Sequence, residues 1–212
     1  MTIRLIFLLA SVASAQDLVL VNGKIITVDA KDSVAQAVAI TNGKIVAVGT
    51  NEAARQAAAK DARVIDLQGR TATPGLIDTH CHFQEVDALL PFATYVRKGI
   101  IWGGGSDFSV TPFAARYGLW SSVERRTLHG VFGEQPFGTK ESVDIHVALR
   151  SYTAWAARQL FLEDRIGSIE VGKDADLAVW DRDLYSVPAA ALKDLKCQMT
   201  LVRGLVVYES AN

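Results

Sequence analysis

Two Asn-Gly dipeptides, Asn22-Gly23 and Asn42-Gly43, each stand between two β-rich runs near the start of the chain. A two-residue type I′ turn needs positive φ at both central residues, and Asn-Gly supplies them at little cost. The pattern predicts two tandem hairpins, residues 17–21 with 24–28 and residues 37–41 with 44–48. That is too little repetition for a solenoid. The Ala-rich stretch 51–60 suits a short helix capped by Thr50 or Asn51, and residues 63–67 read as a strand. At the other end, residues 175–180, 199–203 and 205–208 are strand-like, the last two joined at Gly204. Neither end closes a core alone. The two ends are therefore expected to pack together as one composite β-sandwich, residues 16–73 plus 167–210, with residues 74–166 as an insertion.

The chain has 212 residues, long enough to bury a sizeable core. Half of them are apolar and 16 are Gly, which argues against wholesale disorder. A net charge of −1 gives no basic footprint for nucleic acid and no polybasic membrane patch. Cys81 and Cys197 permit at most one internal disulfide. Residues 1–15 (MTIRLIFLLASVASA) have a positive start, an apolar run and a small-residue end, the layout of a secretory signal peptide. An ordinary buried N-terminal element is the competing reading. The apolar run is too short to span a bilayer. The expectation is an exported protein without a membrane anchor.

The middle carries the chemistry. In residues 73–82 (TPGLIDTHCH) Pro74-Gly75 breaks the preceding strand, and residues 76–79 suit a short buried strand. His80 and His82 then sit at i and i+2, which on a strand puts both imidazoles on one face as a candidate metal clamp. Asp78 could orient an imidazole or cap a turn. Residues 100–107 (IIWGGGSD) read as an apolar strand running into three glycines with a carboxylate, Asp107, at the tip. Three Gly allow a close backbone approach. Asp107 is either an exposed functional carboxylate or, with Ser106, the N-cap of the next helix.

These residues resemble a known family. TPGLIDTHCH at 73–82 is similar to the first-strand motif of the metal-dependent amidohydrolase superfamily, and GGGSDFSVTPF at 103–113 to its last-barrel-strand motif. Residues 141–208 resemble the C-terminal part of the amidohydrolase family 3 branch, the exoenzyme-like, YtcJ-like group, through 148–153 (ALRSYT), 167–173 (GSIEVGK), 176–183 (DLAVWDRD) and 202–208 (VRGLVVY). The resemblance implies a mixed α/β fold, a (β/α)8 TIM barrel carrying a small β-sandwich. It implies metal-dependent hydrolysis of an amide-type, non-peptide C–N bond in a small-molecule substrate. It implies a divalent metal of the zinc type held by His80, His82 and Asp107, with Asp107 also taking a proton from the attacking water.

Only 25 positions separate His82 from Asp107. A complete barrel takes about 250 residues, and in the family these two motifs lie on the first and eighth strands. The interval has room for one helix, residues 85–98, so most of the barrel is missing and only a remnant is expected. The family's further ligands have no counterpart there. His129 and His146 follow the last-strand motif, match nothing in the ligand set, and are read as structural or solvent-facing. Joining the first strand directly to the eighth would reverse the right-handed crossover found in about 98% of such connections. Exposed apolar surface and homo-oligomers are expected, with impaired hydrolysis. The other readings are a non-catalytic extracytoplasmic sandwich acting by binding or assembly, and a truncated gene product.

Overall fold

The computed structural model describes residues 17–80, 90–130, 133 and 135–211. The expected signal peptide, Cys81 and His82 lie outside the described residues.

Among the described residues ten strands form two mixed sheets. The first sheet contains β1 (Leu18–Val21), β4 (Ala37–Thr41), β5 (Lys44–Gly49) and β6 (Arg63–Asp66), in the order β5-β4-β1-β6. The second contains β2 (Lys24–Ile26), β3 (Val34–Ala35), β7 (Thr71–Pro74), β8 (Leu177–Trp180), β9 (Cys197–Val202) and β10 (Leu205–Glu209), in the order β10-β9-β8-β7-β2-β3. The β7–β8 pairing is antiparallel and joins the two halves of the chain in one ladder, from Thr71 opposite Trp180 to Pro74 opposite Leu177.

The second Asn-Gly forms its hairpin. Thr41 pairs with Lys44, and Asn42 and Gly43 have φ of 51° and 76°. Arg203-Gly204 turns β9 into β10 in the same way, with φ of 47° and 75°. The first expected hairpin does not form. β1 pairs with β4 and β6, whereas β2 pairs with β3 and β7 in the other sheet. Asn22 is left-handed at 54°, but Gly23 is not. A Cβ at Gly23 would stand 2.4 Å from Leu67 Cδ1. Glycine is needed there for close packing at a corner where the chain changes sheets. All four β1 residues are buried, which suits a strand flanked on both edges and covered on both faces.

Alternation along the strands distributes the cores. Leu18 and Leu20 of β1 join Ile25, Val38, Ile40, Ala72, Leu177, Val179 and Leu201 in a core fed by both sheets. Val19 and Val21 face the other way, onto Ala54 of helix α1 (Asn51–Ala57). Thr50 caps that helix, its hydroxyl accepting from Ala53 N–H at 3.2 Å. Each fully buried Leu, Ile or Val side chain contributes about 1.5–3 kcal/mol of transfer free energy.

The middle segment builds a third core on the far face of the second sheet. Ile26, Val28, Ala178 and Trp180 meet Phe92 of α2 (Phe92–Arg97), Leu119 and Trp120 of α3 (Arg116–Glu124), and Leu149 of α4 (Ile145–Ser151), with α5 (Ala154–Gln159) alongside. Residues 76–79 and 100–105, where strands were expected, carry no regular secondary structure; 102–105 are buried, whereas 76, 77 and 79 are half-buried. Among the described residues no strand lies on their outer sides, and neither run completes a ladder. Residues 92–97 realise part of the expected helix over 85–98, of which 85–89 lie outside the described residues. Phe108, Phe113 and Phe161 are 69%, 68% and 90% exposed.

Candidate functional site

The two motifs meet through a short backbone seam. Ile77 N–H donates to Tyr152 O at 2.7 Å, Thr79 N–H to Gly104 O at 3.0 Å, and Gly104 N–H to Ser151 O at 2.8 Å. The Thr79 hydroxyl donates to the same Gly104 carbonyl at 2.9 Å. The glycines make this possible. A Cβ at Gly105 would lie 1.8 Å from Thr79 O, and one at Gly104 would lie 2.2 Å from the buried Tyr152 ring. The close approach read from the Gly triplet is therefore made to the chain's own backbone and to Tyr152. An aromatic stack anchors the preceding turn, with Trp102 4.9 Å from Phe92 and 4.9 Å from Trp155 by ring centroids.

On this seam Asp78 accepts from Ser106 twice, from N–H and from the hydroxyl, each at 2.5 Å. Thr111 in turn donates its hydroxyl to Ser106 O. His80 Nδ1 stands 2.9 Å from Asp107 Oδ1. Asp107 has φ of 45°, a left-handed conformation that Asp tolerates better than most residues. The helix that follows begins at Arg116, so neither Ser106 nor Asp107 caps it. Asp78 ties the first motif to the last through Ser106. Ser106 entered the sequence reading only as a possible helix cap, and Tyr152 was not singled out, yet both set this geometry. Ser106 carried a signal as the residue before the tip carboxylate, whereas nothing local marks Tyr152.

A cavity of about 380 Å³ opens beside the seam, bounded by Leu76, Asp78, Phe113, Trp180 and Cys197. Cys197 is a free thiol on β9. The other two histidines lie elsewhere. His129 is in an exposed loop. His146 on α4 contacts Asp32 and stacks on Tyr185 with ring centroids 3.8 Å apart. Burial, then the hydrogen bond that Tyr185 donates to Asp32 at 2.9 Å, push the Tyr185 phenol up from its ordinary value.

His80 and Asp107 are the donor types of a hydrolytic metal centre. A catalytic zinc takes three protein ligands and an open position. Among the described residues no group of three or more His, Cys, Asp or Glu is placed to hold an ion. His80 is 85% exposed and its Nδ1 faces Asp107 at hydrogen-bond distance. The described donors do not by themselves fit a catalytic metal.

The family model described as "Amidohydrolase family" matches residues 83–208, more than half of the chain. The chain belongs to that family. An N-substituted formamide deformylase from Arthrobacter pascens is 49% identical over 126 residues, 59% of this chain and 22% of that protein. An amidohydrolase structure from Thermotoga maritima MSB8 superposes with a TM-score of 0.64 at 12% identity, covering 91% of this chain and 100% of that one. An adenosine deaminase structure from Xanthomonas campestris, with bound Zn, superposes with a TM-score of 0.55 at 16% identity, covering 92% and 93%. These structures are alike in fold. The chain spans 22–31% of the length of the curated relatives it matches.

Proposed function

We propose that this chain carries the inherited chemistry of metal-dependent hydrolysis of a non-peptide C–N bond, and that loss of the middle barrel strands impairs it. His80, His82 and Asp107 are the residues that would meet the metal, zinc by family chemistry, and Asp78 orients their seam. The metal, where bound, would supply an activated water. The chain's own residues supply the position of Asp107, held by the Ser106–Asp78 clamp. The observation that carries the reading is the direct meeting of His80 and Asp107 at 2.9 Å, which brings the first-strand and last-strand motifs together. The exposure of His80 and the irregular strands 76–79 and 100–105 support the impairment.

In this reading the two sheets form a composite β-sandwich, residues 16–73 and 167–210, and residues 74–166 are the remnant of a (β/α)8 barrel. The shared core of Leu18, Ile40, Leu177 and Leu201 supports the first part. The substrate is a small molecule, neither nucleic acid nor membrane lipid being called for by the near-neutral charge. The leader-like residues 1–15 support export. The exposed Phe108, Phe113 and Phe161 support self-association. A non-catalytic binding or assembly module is the second reading, favoured by the open surroundings of His80.

The test is formate release from an N-substituted formamide by the full chain in zinc-containing buffer, beside an intact family member. Trace or no turnover is expected. Turnover at the intact protein's rate, lost in Asp107→Asn, would overturn the impairment.

A further inference from the structure

Away from the His80–Asp107 seam, a cavity of about 630 Å³ lies between the loop after α3 and the short 3-10 helix Ala189–Asp194. Arg126, His129 and Lys193 line it, with Thr127 and the apolar Trp120 and Leu128. No Asp or Glu is among its described lining residues. Cations gathered in one recess repel one another, and an anion relieves that repulsion.

Two details bear on what this place could hold. Arg126 Nε is buried and makes no hydrogen bond among the described residues. The nearest carboxylate oxygen recorded for it, Glu124 Oε2, is 4.0 Å away, beyond hydrogen-bond reach. A buried N–H without an acceptor is costly, so such donors are normally satisfied. Lys193 Nζ stands 5.1 Å from the centre of the buried Trp120 ring. That cation–π contact holds the ammonium beside a ring that lines the cavity.

We propose that this cavity binds a phosphate group, as the free ion or as the phosphate of a small phosphomonoester. A guanidinium presents a planar fork that matches phosphate oxygens, and Lys adds a point charge. The Thr127 hydroxyl and the His129 imidazole are further polar groups on the wall. The apolar surface of Trp120 and Leu128 leaves room for the organic part of an ester. The site shares no residue with the His80–Asp107 seam, so it does not depend on the hydrolytic reading.

The test uses the full chain and inorganic phosphate at constant ionic strength, followed by NMR of the Arg126 Nε–H and Trp120 indole signals. Both signals are expected to shift along one saturable curve, with chloride giving no such curve. Arg126→Gln and Lys193→Gln are each expected to weaken binding at least tenfold, while circular dichroism and the unfolding midpoint stay those of the wild type. Lys60→Gln, far from the cavity lining, should leave the curve unchanged. Repeating the titration with phenyl phosphate separates the two sources: tighter binding assigns an ester, equal or weaker binding the free ion. Absence of saturation, or equal binding by wild type and folded Arg126→Gln and Lys193→Gln proteins, would overturn the proposal.

Discussion

Asp78 holds Ser106 with both carboxylate oxygens, one taking the backbone N–H and the other the hydroxyl. This clamp closes a gap of 28 residues and, with the Thr79–Gly104 pairing, aligns the His80 and Asp107 ends of the seam. Charge-assisted hydrogen bonds of this kind are worth about 1.5–3 kcal/mol each. Ser106→Ala removes one of them and leaves the other. The expected result is a loss of about 1–3 kcal/mol in denaturant unfolding. An unchanged midpoint would show that the clamp does not hold the seam.

Gly118 faces the Tyr152 hydroxyl so closely that a Cβ there would lie 1.7 Å from it. Gly118→Ala is expected to destabilise by about 1–3 kcal/mol through overpacking. Tyr152→Phe removes the clashing oxygen, so the double variant should recover part of that loss in a double-mutant cycle. Simple additivity of the two losses would contradict this placement of Tyr152.

Asp174 lies at the junction of the two chain ends, nine-tenths buried or more, with Lys44 Nζ at 2.5 Å and Arg165 at 3.0 Å. Burial alone would raise its pKa, but the hydrogen bonds and charges of Lys44 and Arg165 outweigh it and hold the carboxyl below its ordinary 3.8. A folded value below the unfolded one means the stabilisation is fully present above the unfolded value. It is lost as pH falls through the folded value. Unfolding free energy is expected to drop as acid is added below about pH 4. Asp174→Asn should be less stable near neutrality and should show a flatter acid limb. An identical acid limb in the variant would assign the loss to other carboxylates.

Phe108 and Phe113 form an exposed edge-to-face pair with centroids 5.8 Å apart, on the loop that follows the last-strand motif. Concentration-dependent self-association by sedimentation is expected, and Phe108→Ser with Phe113→Ser should reduce it. A monomer at all concentrations would contradict the proposed use of this surface.

The sequence was most legible where one residue type has one structural use. Asn42-Gly43 demanded left-handed φ at both positions and has it. Asn22-Gly23 looked the same, yet its glycine answers to Leu67, a tertiary neighbour 44 positions away that no local pattern displays. The Gly triplet announced a close approach but could not say to what, because Tyr152 arrives from a distant helix end. Residues 76–79 and 100–105 have strand-like composition, but a strand exists only by pairing, and among the described residues no neighbouring strand flanks them. The family was legible because its motifs are ordered and specific. The clamp that joins them was not, because an Asp and a Ser 28 positions apart carry no pairing signal.

Whether the seam still holds metal decides between an intact and an impaired site. The measurement is zinc retained per chain, by elemental analysis after zinc loading and dialysis against a moderate chelator. Substoichiometric zinc, unchanged by His80→Ala, is the predicted result. One or more zinc ions per chain, lost in His80→Ala and Asp107→Asn while both variants stay folded, would contradict the claim that the site is impaired.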